Sequence, residues 1–176
     1  MNGVPPLLRI PLGVLVERHK AASPWIDFVW QPAAVLPGEP ETAPWTILSS
    51  EGDSTSFYAG ACELELHRSQ TAHYRDNLAA GAPSVWVVLR PTGDDPPYRL
   101  LMVTADPAEG EGYTQAGDDL VDAVPMPPSL RATVEAFVAE HHVEQPVFKR
   151  KRDRADPQAL ARRQPTKDAE PNEGKS

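Results

Sequence analysis

Thr-Ser-Phe-Tyr-Ala-Gly-Ala-Cys-Glu-Leu-Glu-Leu-His, residues 55–67, is the stretch whose reading decides the fold. Tyr58, Cys62, Leu64 and Leu66 read onto one face, and Glu63, Glu65 and His67 onto the other. That two-residue period belongs to a strand with one side on a core and one in water, which is the habit of antiparallel sheets. Gly60 lies mid-strand, where glycine marks a bulge or a close approach. Upstream, Trp45 to Leu48 reads as a short strand, with Glu51-Gly52-Asp53-Ser54 as the hairpin loop between them. Downstream, Ser69 predicts the N-cap of a helix that runs to Ala79-Ala80 and stops at Gly81. Tyr74 and Leu78, spaced i, i+4, supply its buried side.

The pattern extends both ways. Residues 9–18 read as a first strand, with Leu12, Val14 and Val16 on one face and Gly13 and Leu15 on the other. Residues 25–36 form a second extended stretch, broken near Pro32, and Pro37-Gly38 signals a turn. Residues 84–90 are apolar on both faces and suit a central strand, and 98–105 return as its antiparallel partner. Asp106-Pro107-Ala108-Glu109 starts a helix, kept short by Gly110 and Gly112. Asp118 to Val124 reads as an edge strand. The last helix spans Pro128 to His142, with Leu130, Val134, Phe137, Val138 and His141 as its apolar stripe. The fold class expected is α+β: a mostly antiparallel twisted sheet of roughly five to seven strands, whose partial closure into a barrel is left open, with two or three helices.

The net charge of −8 hides a division. Residues 1–147 hold 8 Lys/Arg and 20 Asp/Glu, a balance of −12, while residues 148–176 hold 9 and 5, a balance of +4. We therefore read 1–147 as a single domain and 148–176 as a basic, disordered tail with too few apolar residues to offset ordering. An acidic body repels phosphates, so nucleic acid is not an expected partner. One cysteine excludes an internal disulfide. No apolar run reaches membrane-spanning length and the first residues lack a leader pattern, so no membrane partner and a cytoplasmic setting are expected.

Chemistry-bearing patterns are sparse. Cys62 points inward while His67 points outward, so they do not converge on a metal, and Cys62 reads as a small core residue. His141 and His142 sit in the last helical turn, where a cation meets the exposed carbonyls. Glu63 and Glu65 form the wet side of a sheet or a surface for a partner's basic groups. No phosphate-binding loop and no G-x-S-x-G elbow occur. We assign no catalytic residue, no metal and no cofactor. Three of the four tryptophans, Trp25, Trp30 and Trp45, lie among Pro24, Pro32, Pro37, Pro40 and Pro44. These rings, fixed by kinked extended backbone, are either core or interface.

Several blocks together resemble one family. They include Pro-Leu-Gly-Val-Leu-Val-Glu-Arg (11–18), Pro24-Trp25 with Trp30-Gln31-Pro32, Val35-Leu36-Pro37-Gly38 and Pro44-Trp45-Thr46. Phe57 through Ala61, Glu63 through Arg68, Val87 through Pro91, Val124 through Pro127 and His141-His142 to Arg152 follow in the same order. The family is a proteobacterial domain of unknown function, encoded near molybdenum-dependent formate dehydrogenase and its accessory genes. Some members carry a molybdopterin-guanine dinucleotide biosynthesis label, which the missing Gly-rich nucleotide loop argues against here. Where members read Ser-Pro-Tyr-Glu-Ala, this chain has Asp106-Pro107-Ala108-Glu109-Gly110 and lacks the aromatic.

With no catalytic signature, proline-framed aromatics and a basic exit from an acidic body, we expect a non-enzymatic accessory protein acting by protein–protein interaction, and the resemblance implies a formate dehydrogenase subunit or maturation factor as its partner. The interface candidates are Trp25, Trp30, Trp45, His141, His142, Phe148, Lys149, Arg150, Lys151 and Arg152. The alternative is an enzyme or carrier of a phosphorylated pterin or nucleotide, with Arg68, Arg90 and His141 as ligand contacts.

Overall fold

The computed structural model describes residues 3–144. The expected tail, its boundary at 147/148 and the candidates Phe148 to Arg152 lie outside the described residues. Within them the α+β expectation holds, with seven strands and three α-helices.

β4 (Ser54–Leu66) is the long strand read from its alternation. It pairs antiparallel with β1 (Leu8–Lys20) along its length, and with β3 (Thr46–Glu51) only over Ser54–Tyr58. β2 (Phe28–Pro37) lies on the far side of β1, giving the order β2-β1-β4-β3. The doubly apolar β5 (Ser84–Pro91) is central, between β6 (Tyr98–Thr104) and β7 (Leu120–Pro125), in the order β6-β5-β7. There are thus two antiparallel sheets where a single one was expected. β4 runs close to β6 and β2 close to β7, yet no ladder joins either pair, so the barrel does not close. At the β4–β6 seam the Val103 backbone N–H is directed at the Cys62 thiol.

The two sheets enclose the core. Leu12, Val14, Val16, Leu64 and Leu66 meet Val85, Val87, Leu89 and Val103, all essentially without solvent exposure. The turn Gly52-Asp53 joins β3 to β4, with Gly52 at φ +58°, as a tight hairpin requires. Three local expectations are corrected. Ala59 is an extra residue in β4, since Gly60 faces Val14 and Tyr58 faces Leu15. This bulge turns Tyr58 away from Cys62, Leu64 and Leu66 to lie over Gly13, whose Cβ, if present, would sit 2.9 Å from the ring. Pro32 does not break β2. The strand is an edge, where a missing N–H costs no ladder bond, and a bulge absorbs the misfit between Pro32 and Ala34.

The third correction concerns the entry to α1 (Thr71–Ala79), where a 3₁₀ turn, Arg68–Gln70, precedes the helix and Ser69 does not cap it. The fully buried Tyr74 phenol organises this entry instead. It accepts from His67 N–H at 3.0 Å and donates to Gln70 Oε1 at 2.9 Å, and burial pushes its pKa up to about 12. α2 (Pro107–Gln115) begins as read, with Asp106 Oδ1 accepting from Ala108 N–H at 2.9 Å. α3 (Pro128–His141) buries Leu130, Val134 and Phe137.

Candidate functional site: a tryptophan and arginine face

The proline-framed tryptophans separate by position. Trp30, on β2, and Trp45, just before β3, are partly buried and pack on the core. Their ring centroids are 6.0 Å apart, each lies within 6.0 Å of Phe57, and Trp30 is 6.3 Å from Tyr98 at the start of β6. Trp25, in the β1–β2 connection, is 91% exposed. The prolines have a packing reason. Pro40 lies against Gly13 and Pro44 against Gly60, so the loop from Glu39 to Pro44 crosses β1 and β4 where the glycines leave room. Trp45 then turns into β3 with φ +65°, its N–H held by the Tyr58 carbonyl.

Register places Arg18 in the middle of this face. It stands opposite Trp30 on β2 and Thr55 on β4. Its guanidinium carbon lies 4.3 Å from the Phe28 centroid, 5.2 Å from Phe57 and 5.5 Å from Trp30. Such contacts contribute roughly 0.5–2 kcal/mol, more as the cation is desolvated. Its Nε is shut off from solvent and has no hydrogen-bond partner among the described residues. Phe28 on β2 and Ile47 on β3 share the face of Arg18 and are exposed, Val29 is exposed on the opposite face level with His19, and Trp25 and Ile26 are exposed in the β1–β2 connection. Isolated exposed apolar residues are ordinary on a surface; Phe28 and Ile47 stand out because they flank the Arg18 cluster on one sheet face from its two outer strands.

The other candidates take different places. His141 tilts over Phe137 at 4.6 Å and is partly buried. His142 closes α3 and reaches α1, with Nδ1 3.1 Å from Thr71 Oγ1 and Nε2 3.0 Å from Arg75 Nη1. Arg68 is exposed in the 3₁₀ turn. Arg90 is engaged in a two-pronged pair with Asp119, Nε to Oδ1 at 3.0 Å and Nη2 to Oδ2 at 2.9 Å. The pair holds the Asp119 carboxyl below the ordinary carboxylate range. Its contribution is therefore full above that range and is lost as pH falls through the lowered value. Arg90 also stands six residues along β5 from Ser84, where α1 is attached, roughly 20 Å at ~3.3 Å per residue. Arg68 and Arg90 thus do not converge.

Two arrangements escaped the sequence reading. His73 Nδ1 lies 3.0 Å from the buried Asp106 carboxylate, a pair 33 residues apart that joins α1 to the start of α2. Beside it, a cleft of about 280 Å³ follows the β4–β6 seam. Cys62, Glu63, Glu65 and His67 line one side, Leu101 to Thr104 the other, and Glu109 closes it. Thr104 Oγ1 donates to Glu109 Oε2 at 2.6 Å and accepts from Asp106 N–H at 3.1 Å, so the hydroxyl is already engaged. Arg9 lies 3.8 Å from both Glu63 and Glu65. Among the described residues no group of three or more His, Cys, Asp or Glu is arranged to hold a metal ion.

Burial pushes the Cys62 thiol from 9.0 up to about 11. Its thiolate fraction at neutral pH then falls about a hundredfold. Iodoacetamide at pH 7.5 is expected to label Cys62 about a hundredfold more slowly in the folded protein than in urea-unfolded protein, followed by mass spectrometry. Equal rates would show that the seam is open.

No curated protein and no solved structure matches the chain. One family model covers most of it, from residue 11 to residue 152, taking in both sheets and all three helices. The chain belongs to that family, described as a protein of unknown function, DUF3305.

Proposed function

We propose that this protein is a non-enzymatic accessory factor that acts by binding another protein through the tryptophan and arginine face. Its client would be a subunit or maturation factor of a molybdenum-dependent formate dehydrogenase or a related molybdoenzyme. The observation that carries the binding reading is that Phe28 and Ile47 are exposed on the face of a packed aromatic cluster, with Trp25 and Ile26 exposed in the connection that leads into Phe28. Tryptophan and arginine are the residues that most often anchor interfaces. The client class rests on the resemblance of the sequence blocks to a family encoded beside such enzymes. The alternative, a carrier of a phosphorylated pterin or nucleotide, gains no support from the geometry. Glu63, Glu65 and Glu109 border the cleft, and Arg90 is held by Asp119.

The test is affinity purification of the tagged chain from cells growing on formate, in parallel with Trp25→Ala. The wild type is expected to retain a dehydrogenase subunit or maturation factor, and Trp25→Ala to lose about tenfold or more of it. With Trp25 91% exposed, the substitution is expected to leave stability within about 0.5 kcal/mol. Recovery of neither protein class would remove the client assignment. Retention undiminished by Trp25→Ala would remove this face.

A further inference from the structure

The chain has 25 Asp and Glu residues, and Arg9, Arg90 and Arg131 each lie within salt-bridge distance of one. Arg18 does not. Among the described residues its neighbours are the rings of Phe28, Trp30 and Phe57, and its Nε has no acceptor. Nε alone of its three nitrogens is shut off without a partner, so the guanidinium can be reached at its Nη groups. A guanidinium presents its N–H donors in a planar fork that fits a carboxylate, and aromatic walls that exclude water strengthen such a pair. The fold thus supplies no acceptor to Nε and no carboxylate to the guanidinium among the described residues, and a partner's carboxylate would meet its Nη groups.

From these observations we infer that Arg18 is the recognition residue of the face and takes a carboxylate from the partner protein, an Asp or Glu flanked by apolar side chains. The inference rests on the protein-binding reading above. Register defines the flanks. Phe28 and Arg18 share a face through the β2–β1 ladder, and Ile47 joins them through Phe57 and Val16. Phe28 is level with Lys20 and Ile47 with Val16, so the line crosses three strand spacings of ~4.8 Å and four residues of ~3.3 Å, about 19 Å on the diagonal. An extended segment of about six residues covers that distance. Its order is apolar over Phe28, acidic at Arg18 and apolar at Ile47. The chain's own basic run, residues 149–154, has the wrong sign to complement Arg18.

A displayed library of random dodecapeptides, selected on the immobilised full chain, tests this directly. Enriched sequences are expected to carry an Asp or Glu between large apolar residues. A synthetic Glu peptide from that set should bind at least about tenfold more tightly than its Gln twin. Arg18→Met should erase the difference and Arg18→Lys should restore only part of it. If Arg18→Met does not fold, the ¹⁵N resonance of Arg18 Nε in the wild type decides, moving with the Glu peptide and not with the Gln twin.

Absence of enrichment, enrichment of basic sequences, or equal binding by the Glu and Gln peptides would each overturn the inference. A concentration-dependent dimer abolished by Arg18→Met would assign the face to a second copy and overturn the partner class. Peptide selection succeeding while no dehydrogenase component copurifies would remove the client alone, so the two readings fail separately.

Discussion

Asn77→Ala is expected to lower the unfolding free energy by about 3 kcal/mol, one of the two largest losses foreseen for a single substitution here. Asn77 is 4% exposed on α1 and its amide closes three contacts. Nδ2 donates to the Ser84 carbonyl at 2.7 Å and to the Ala105 carbonyl at 2.9 Å, while Oδ1 accepts from Ser84 N–H at 3.0 Å. One side chain thus fastens the helix to the first residue of β5 and to the residue after β6. Alanine leaves three backbone groups without that partner, each costing roughly 1 kcal/mol or more. Asn77→Asp separates the donor from the acceptor. It keeps an oxygen for Ser84 N–H but turns the other toward two carbonyls. A carboxyl so placed has a folded pKa raised above its unfolded value of about 3.9. Its stability is then greatest below the unfolded pKa, where the protonated oxygen can donate, and is lost as pH rises through the folded pKa. Urea unfolding of both variants from pH 3 to pH 8 measures this. A loss below about 1 kcal/mol for Asn77→Ala would show that the amide is not the clamp.

Asn77 also shows where sequence reading ends. An asparagine in mid-helix has the polarity of a surface residue, and nothing local marks it as buried. The same holds for His73 and Asp106, which meet only because α1 and α2 come together. What was legible is what local periodicity controls: the inward Leu64 and Leu66 against the outward Glu63 and Glu65, the doubly apolar β5, and the Asp106 cap. Tyr58 was misplaced because one inserted residue, Ala59, reverses the facing of everything before it. The division into two sheets was not readable, because alternation says which way a side chain points and not which strands share a ladder. The candidate site was legible in part. Trp25, Trp30 and Trp45 were noted as a block, but only the fold separates the exposed ring from the two packed ones. Arg18 read as no more than the end of a strand, since its rings come from residues 10 to 39 positions away.

In sequence Gly110 reads as a residue that keeps the helix short, yet α2 runs through it to Gln115 and its neighbours give it a different role. α2 lies on Trp86 of β5, and a Cβ at Gly110 would fall 2.4 Å from Trp86 Cγ and 2.7 Å from both Cβ and Cδ1. Those atoms are next to the backbone of a central strand, so the indole cannot swing aside and the helix must lift. Alanine should gain up to about 1 kcal/mol of helix propensity over glycine, against an overpacking cost of roughly 1–3 kcal/mol or more. At contacts this short the cost wins, and Gly110→Ala is expected to destabilise by about 2 kcal/mol. Gly112, in the same helix with nothing near its Cβ position, serves as the control and should gain about 0.5–1 kcal/mol as alanine. Trp86→Ala alone should cost about 3 kcal/mol by opening a cavity. Once the indole is gone, Gly110→Ala has no clash to meet and should stabilise by up to about 1 kcal/mol. The effect of one methyl group therefore changes sign with the residue beneath it, a coupling of about 3 kcal/mol in a double-mutant cycle. Denaturant unfolding of the four proteins measures the cycle. Additive behaviour would mean that α2 is not seated on Trp86, and would also unseat the Asp106 and Glu109 contacts that α2 carries to His73 and Thr104.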